Sequence, residues 1–430
     1  MTAVVGILNK HAVAIAADSA VTIGGNGGKK IFNKANKVFT LSKQHPVGIM
    51  IYNSASFMTT PWETIIKVYR KQLGSTSFPT LKEYEQNFIA FLRAKNFYTD
   101  AGMQIAFLEN FSLDILNSVI NDIVAQNKGL IENPSAESRA QLLVILEAQI
   151  DNLISIWGAQ TEFCPEFADY TIEMFTAYSN QIFDRINQHR FAANGIVISA
   201  RLLIKIKQAV YSILRAKEEL SNFTGLIFTG FGEDEIYPQL IPINISTVID
   251  NRLRFYINEN RAASISNSNN GAVCPFAQTD VIDTILTGID PSLDNIYLNN
   301  FDALFKKYNQ AIIDSIGDTN PLLTDQIQNL DTAAIVNEFR VLNQQIKQEN
   351  HINPLMNAVS NLAKEDLSEM AESLIYLTYL KRRITFAEES VGGPVDVAVI
   401  SKGDGFVWIK RKHYFRPELN QHFFDNYFKI

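Results

Sequence analysis

Cysteine is scarce in this sequence, with two residues in 430, Cys164 and Cys274. So few exclude a disulfide framework and point to a reducing compartment, so a cytoplasmic location is expected. Histidine is scarce too. The six residues are scattered without an HExxH pair, so no histidine-based metal site is expected. No run of about eighteen apolar residues occurs, which predicts no membrane-spanning helix. The first apolar run, Ala3 to Leu8, is too short for a signal peptide and has no basic stretch before it. Basic charge is in deficit, with a net charge of −7 and a pI near 5.5, which argues against a protein built to grip nucleic acid. The dense basic run Lys410, Arg411, Lys412, His413 and Arg416 reads as a solvated strand end. The glycine-rich stretch Gly24-Gly25-Asn26-Gly27-Gly28 lacks the GxxxxGK[ST] spacing of a phosphate loop. It reads as a turn, and no cofactor is implied.

What is present is globular. Hydrophobic residues make up 47% of the chain, enough to bury a large core without covalent staples. Val4 to Leu8 and Ala12 to Ala17 read as a hairpin turning near Asn9-Lys10, with Asn suited to a positive φ. Lys37 to Leu41 and Val47 to Tyr52 have strand length. From Pro61 to Asn222 the pattern turns helical. Leu146, Ile150, Leu153 and Trp157 share one face, as do Leu203, Ile206, Val210, Ile213 and Leu214. Asn133-Pro134 marks a break, with Ser135 able to cap the next helix. Strand character returns at Gly225 to Phe231 and Leu240 to Ile245. A second helical stretch spans Thr279 to Phe386, with interruptions at Asp290-Pro291 and Asn353-Pro354. A closing hairpin runs from Val395 to Ile409. This order predicts a layered α+β fold with large helical insertions. It divides the chain into strands over 1–60, a helical segment over 61–221, the remaining core over 222–415 and a tail over 416–430.

The second residue is Thr2. Aminopeptidases remove Met1 before so small a side chain, and that would leave threonine with a free α-amine. Such a residue holds nucleophile and base together: the hydroxyl attacks and the amine takes its proton. An α-amino group titrates near about 7.7–8.0, close to working pH. The expected hairpin returns Asp18 toward Thr2, where it would orient a cation, and Lys37 would supply one. An ammonium there lowers the amine's pKa. Taken singly, Asp18 reads as a turn former and Lys37 as a surface lysine.

Three segments taken together resemble a known family. They are Thr2-Ala3-Val4-Val5-Gly6-Ile7, Ala14-Ile15-Ala16-Ala17-Asp18-Ser19 and Asn36-Lys37-Val38-Phe39. They look like the opening of proteasome β subunits and of the bacterial proteasome-like peptidase HslV, where an aspartate also follows the threonine by sixteen residues. Gly392-Gly393-Pro394 with Asp396-Val397-Ala398-Val399-Ile400 and the Asp404-Gly405 turn resembles the family's last strand pair. The likeness covers the chain up to Tyr52 and the closing segment. It implies the N-terminal nucleophile (Ntn) hydrolase fold, a four-layer αββα sandwich of two antiparallel sheets between helical layers. It also implies hydrolysis of peptide or other amide bonds through an ester on Thr2, with Asp18 holding Lys37. Glu388 and Ser390 correspond to an acid and a serine before the Gly-Gly pair, although Val391 occupies the usual serine place. Asn53 stands where a glycine N–H completes the oxyanion hole. The family's mid-chain serine has only loose counterparts in Ser266, Ser268 and Asn270. The resemblance further implies a homo-oligomer, with any ATPase or activator a separate partner; the acidic balance and the lack of a long apolar run predict neither nucleic acid nor membrane as partner.

Two other readings remain open. The departures and long insertions fit a catalytically silent scaffold, as proteasome α subunits show for this fold. The α type carries an extension before its first strand; only Met1 precedes Thr2 here, which favours the catalytic reading. A small-molecule amidase is the third reading.

Overall fold

The computed structural model describes residues 2–25, 28–32, 34–132, 135–220, 222–316, 321–330, 332–385 and 391–428. The chain opens with β1 (Ala3–Asn9) and β2 (Val13–Ala17). A ribbon of β3 (Val21–Gly25) and β4 (Gly28–Phe32) follows, then β5 (Val38–Thr40) and β6 (Val47–Asn53). The small pair β7 (Ser56–Phe57) and β8 (Thr60–Pro61) leads into α1 (Trp62–Leu73) and α2 (Leu81–Ala94). Next come α3 (Ala101–Gln126), α4 (Lys128–Glu132), α5 (Ala136–Gly158), α6 (Ile172–Ile186) and α7 (Ala200–Arg215). Strands return as β9 (Thr224–Gly230), β10 (Gln239–Ile249), β11 (Arg252–Ile257), β12 (Ala263–Ser264) and β13 (Gly271–Ala277). The second helical run is α8 (Asp280–Thr287), α9 (Pro291–Ile316), α10 (Pro321–Gln328), α11 (Thr332–Lys347), α12 (Asn353–Ser360) and α13 (Lys364–Ile384). The chain closes with β14 (Asp396–Ser401), β15 (Gly405–Lys410) and α14 (Gln421–Phe428).

The fold is mixed α+β, and its two main sheets are antiparallel. One has the order β13-β1-β2-β14-β15, the other β11-β10-β9-β6-β5 with β12 beside β10. Side-chain alternation along β1 decides what packs where. Val4 and Leu8 point into the space between the sheets, where they meet Met50, Ile227 and Leu240. Ala3, Val5 and Ile7 point the other way, onto Leu367, Leu374 and Ile375 of α13. All seven residues of β1 are buried, which is why it reads as one apolar run instead of an alternating one. Gly6 lets the sheets close, since a Cβ there would lie 2.6 Å from Leu240 Cδ1. The outer face of the second sheet carries Phe39, Ile49, Leu226 and Phe228, covered by Trp62 and Ile65 of α1 and Phe88 of α2. Each such side chain contributes roughly 1.5–3 kcal/mol on burial.

Helix α5 is long and apolar enough to cross a membrane by length and composition, which the search for unbroken apolar runs missed. Here it lies on α7, where Lys205 reaches Glu147 and Asp151 of α5, both at 2.7 Å. Helices α3, α5, α6 and α7 share their own apolar cluster of Leu116, Ile150, Phe175, Phe183 and Leu202. Ile249 and Tyr256 of β10 and β11 join it to the sheet. Ser135 caps α5 as expected, accepting from the Ser138 N–H at 3.0 Å; Asn133 and Pro134 lie outside the described residues.

One expectation is corrected. Asn9 makes the β1–β2 turn, but it is not among the positive-φ residues. Its side-chain oxygen accepts from the N–H groups of His11 (2.9 Å) and Ala12 (3.2 Å), an Asx turn. Its amide donates to the carbonyls of Val359 and Leu362. The interruption expected at Asn353-Pro354 takes the form of a change of helix type just before it. A π-type turn, Gln348–Ile352, joins α11 to α12, and Pro354 takes the first turn of α12. A proline there loses no internal hydrogen bond, and the wider turn before it absorbs the missing donor.

On α2, Glu85 is 3% exposed, and burial pushes its carboxyl up to about 7. The folded state therefore holds this proton where the unfolded chain has lost it. Stability falls as pH rises from about 4.5 to about 7, and the deficit stays above that window. Glu85→Gln is expected to remove this slope and to raise stability at pH 8 by roughly 3 kcal/mol. Denaturant unfolding at pH 5 and pH 8 measures both.

Candidate active site

The end of β2 and the start of β5 belong to different sheets, and one ion pair bridges them. Asp18 follows β2, and its N–H donates to the carbonyl of Ala3 at 3.1 Å. Lys37 precedes β5, and its carbonyl accepts from the Ile51 N–H of β6 at 2.8 Å. The Lys37 ammonium reaches Asp18 Oδ1 at 2.6 Å and the Ala20 carbonyl at 2.5 Å. The two side chains are 3% and 1% exposed, so the surface-lysine reading does not describe Lys37; Asp18 does form a turn, its Oδ2 accepting from the Ala20 N–H two residues on, and is also the buried counter-charge of Lys37.

Asp18 has further donors. Oδ1 accepts from the Ala3 N–H at 3.0 Å, and Oδ2 accepts from Ala20 at 3.0 Å and Gly392 at 3.1 Å. One carboxylate thus fixes the peptide that follows Thr2, the lysine, and the Gly-Gly segment before β14. Burial lowers the Lys37 pKa from the ordinary lysine range, against the upward pull of Asp18. Lys412 lowers it further and Asp396 opposes that. Asp396, 2% exposed at the start of β14, accepts from the Lys412 N–H at 2.9 Å and forms an ion pair with the Lys412 side chain. Lys412 therefore belongs to the charge cluster behind the site and is not a freely solvated strand end.

Thr2 precedes β1, and its carbonyl accepts from the Gln278 N–H at 3.1 Å. It lines a cleft of about 270 Å³ together with Asn53, Tyr52, Phe223 and Phe276. Asn53 ends β6 opposite Thr224 of β9. Its φ of 67° lies in the left-handed region that glycine favours and asparagine tolerates. Its side-chain amide is held by the Phe223 carbonyl at 2.9 Å, which leaves the Asn53 backbone N–H as the candidate oxyanion donor. Thr2, Asp18, Lys37 and Asn53 thus converge on one side of the molecule from β1, β2, β5 and β6. A cavity of about 160 Å³ among the helices is lined by apolar residues such as Ile123, Leu146 and Phe191, with Arg139, and offers no nucleophile. Among the described residues, no group of three or more His, Cys, Asp or Glu could hold a metal.

No family model and no curated protein match this chain.

Glu388 and Ser390 lie outside the described residues. Ser266 and Ser268 are brought together with each other, Oγ to Oγ at 3.1 Å, and not with Thr2. Strand β13 pairs with β1 so that Ala277 faces Ala3 and Gly271 faces Asn9. The loop before Gly271 therefore sits at the far end of β1 from Thr2, roughly 20 Å away at about 3.4 Å per residue. The chain positions beside Thr2 are Ala277 and Gln278. The cleft also takes in Glu219 and Arg261, which sequence reasoning did not single out. A strand over Gly271–Ala277 was the signal that would have placed this wall.

Proposed function

We propose that this chain is an N-terminal threonine hydrolase of the proteasome-like Ntn class, cleaving peptide or other amide bonds after removal of Met1. The observation that carries the reading is the buried Asp18–Lys37 pair, fixed to the backbone next to Thr2 where Thr2 meets a cleft. The sheet pair with helices packed on both outer faces supports the αββα sandwich of that class. Both cysteines are unpaired, which agrees with a reducing, cytoplasmic setting.

In the proposed reaction, Thr2 Oγ attacks the amide carbonyl carbon while its proton passes to the α-amine. The oxyanion that forms is stabilised by the Asn53 N–H. The C–N bond breaks, the leaving amine takes the proton, and the acyl group stays on Thr2 as an ester. Water then attacks the ester carbonyl, again giving a proton to the α-amine. The C–O bond breaks, Thr2 Oγ recovers the proton and the carboxylic acid leaves. Lys37 holds positive charge near the amine and keeps it deprotonated close to neutral pH. A homo-oligomer and a separate ATPase or activator belong to the same proposal.

Intact mass before and after treatment with a β-lactone or epoxyketone tests the reading. The expected result is a chain lacking Met1 that gains one adduct, mapped to Thr2. A retained Met1, or no adduct on the processed chain, would favour the silent scaffold, which the missing serine at Val391 also suits.

A further inference from the structure

The cleft beside Thr2 holds two opposite charges that do not satisfy each other. Glu219 and Arg261 both line it and both are exposed. Burial raises the Glu219 pKa and the Arg261 charge pulls against that rise, so Arg261 lies near enough to act on the carboxylate. Yet among the described residues their side chains form no ion pair within 4.0 Å. Each is anchored elsewhere. Glu219 Oε2 accepts from the Asn244 amide at 3.3 Å. Asn244 is 2% exposed and is itself fixed by the hydroxyls of Tyr52 (3.1 Å) and Tyr256 (2.9 Å). Arg261 Nη1 donates to the Pro275 carbonyl on β13 at 2.8 Å.

These anchors come from different sheets. Asn244 lies on β10 of the second sheet, and Pro275 on β13, beside β1 in the first. The separation of the two charges is therefore set by the sheet packing and not by their own attraction. A guanidinium has five N–H donors, and a carboxylate can accept well beyond one bond, so both retain capacity for a ligand. The rest of the wall is mixed, with Phe223 and Phe276 as its apolar part and Asn53, Asn258 and Gln278 as its polar part. A ligand filling this space strips water from both charges and must replace it with opposite charge at each end. A ligand with one charge leaves the other stranded. A volume of about 270 Å³ is just under the range of roughly 300–1,000 Å³ for small-molecule sites. It suits one or two amino-acid residues better than an extended chain.

We propose, resting on the reading of Thr2 as the nucleophile, that the preferred substrates are free dipeptides. Their ammonium pairs with Glu219 and their carboxylate with Arg261, so that the single amide bond between the two charges is presented to Thr2. Glu219 and Arg261 are then specificity-determining residues.

The test uses the full chain, with three dipeptide libraries of equal composition: free ends, N-acetylated and C-amidated. An N-acetylated hexapeptide amide library serves as the long-chain comparison. Mass spectrometry reads the products, and β-lactone labelling of Thr2 is followed in the same preparations. The free dipeptides are expected to turn over at least tenfold faster, in kcat/KM, than either capped set or the hexapeptides. Glu219→Gln should erase the discrimination against N-acetylation alone, and Arg261→Met the discrimination against C-amidation alone. Equal rates for free and capped dipeptides, faster cleavage of the hexapeptides, or labelled Thr2 with no turnover of any library would overturn the proposal while leaving Thr2 as a competent nucleophile. Absence of Thr2 labelling would overturn the catalytic reading, and this proposal with it.

Discussion

Thr2→Ala is expected to lower hydrolysis on the order of 10³-fold or more and to abolish the electrophile adduct, while leaving the protein folded. The loss is large because one residue supplies the attacking oxygen: no second serine or threonine lines the cleft among the described residues, and the Tyr52 hydroxyl is donated to Asn244. The fold should survive because the backbone around Thr2 is held from outside the side chain. The Thr2 carbonyl accepts from Gln278, and the next N–H donates to Asp18. Alanine preserves both. Thr2→Ser is the companion variant. It keeps a hydroxyl but loses the γ-methyl that restricts χ1, so the oxygen spends less time aimed at the substrate. An intermediate rate is expected. Turnover of an amide substrate, unfolding in denaturant and intact mass separate these outcomes. An alanine variant with an unchanged rate would place the nucleophile elsewhere.

The legible parts of this site were those written in short, local patterns. Apolar runs marked β1, β2, β6, β9 and β14, because strands buried on both faces need no polar alternation. The hairpin turn near Asn9 was enough to bring Asp18 back to the start of β1, and the Gly-Gly segment before β14 meets the same carboxylate. Two strands were not legible, and both shape the cleft. Strand β11 begins Arg-Leu-Arg, which reads as solvent-exposed. In fact Arg254 is 1% exposed, with its guanidinium spent on the carbonyls of Leu214, Ala216 and Glu218. Strand β13 contains Pro275, which argues against a central strand. It is tolerated because β13 is the edge of its sheet.

The walls of the cleft were illegible for a different reason. Tyr52, Glu219, Arg261 and Phe276 are joined only through the sheet registers, and no sequence spacing links them. Arg254 connects the two problems. By gathering carbonyls from the end of α7 and just beyond it, it fixes the short segment leading from the helical layer to Glu219. The largely helical segment between β8 and β9 therefore contributes a charged side chain to the cleft.

Asp18→Asn is expected to be the most destabilising conservative change in the molecule, at about 3–5 kcal/mol, because it leaves the Lys37 ammonium buried without its counter-charge. The geometry makes asparagine worse than simple neutralisation. Both carboxylate oxygens face donors: Ala3 N–H and Lys37 on Oδ1, Ala20 and Gly392 N–H on Oδ2. Either orientation of an asparagine amide points its own N–H groups at two of those donors. Lys37→Met is the contrasting case. It removes the charge that burial already disfavours, and Asp18 keeps three backbone donors, so a cost of about 1–2 kcal/mol is expected. In the double variant the two changes should fail to add, with a coupling of about 1–3 kcal/mol. Denaturant unfolding at pH 7 gives all three values. A neutral Asp18→Asn would mean that the pair is not buried in solution. If Lys37→Met instead keeps most of its stability but loses amide turnover, the lysine's contribution lies in tuning the amine of Thr2 and not in holding the two sheets together.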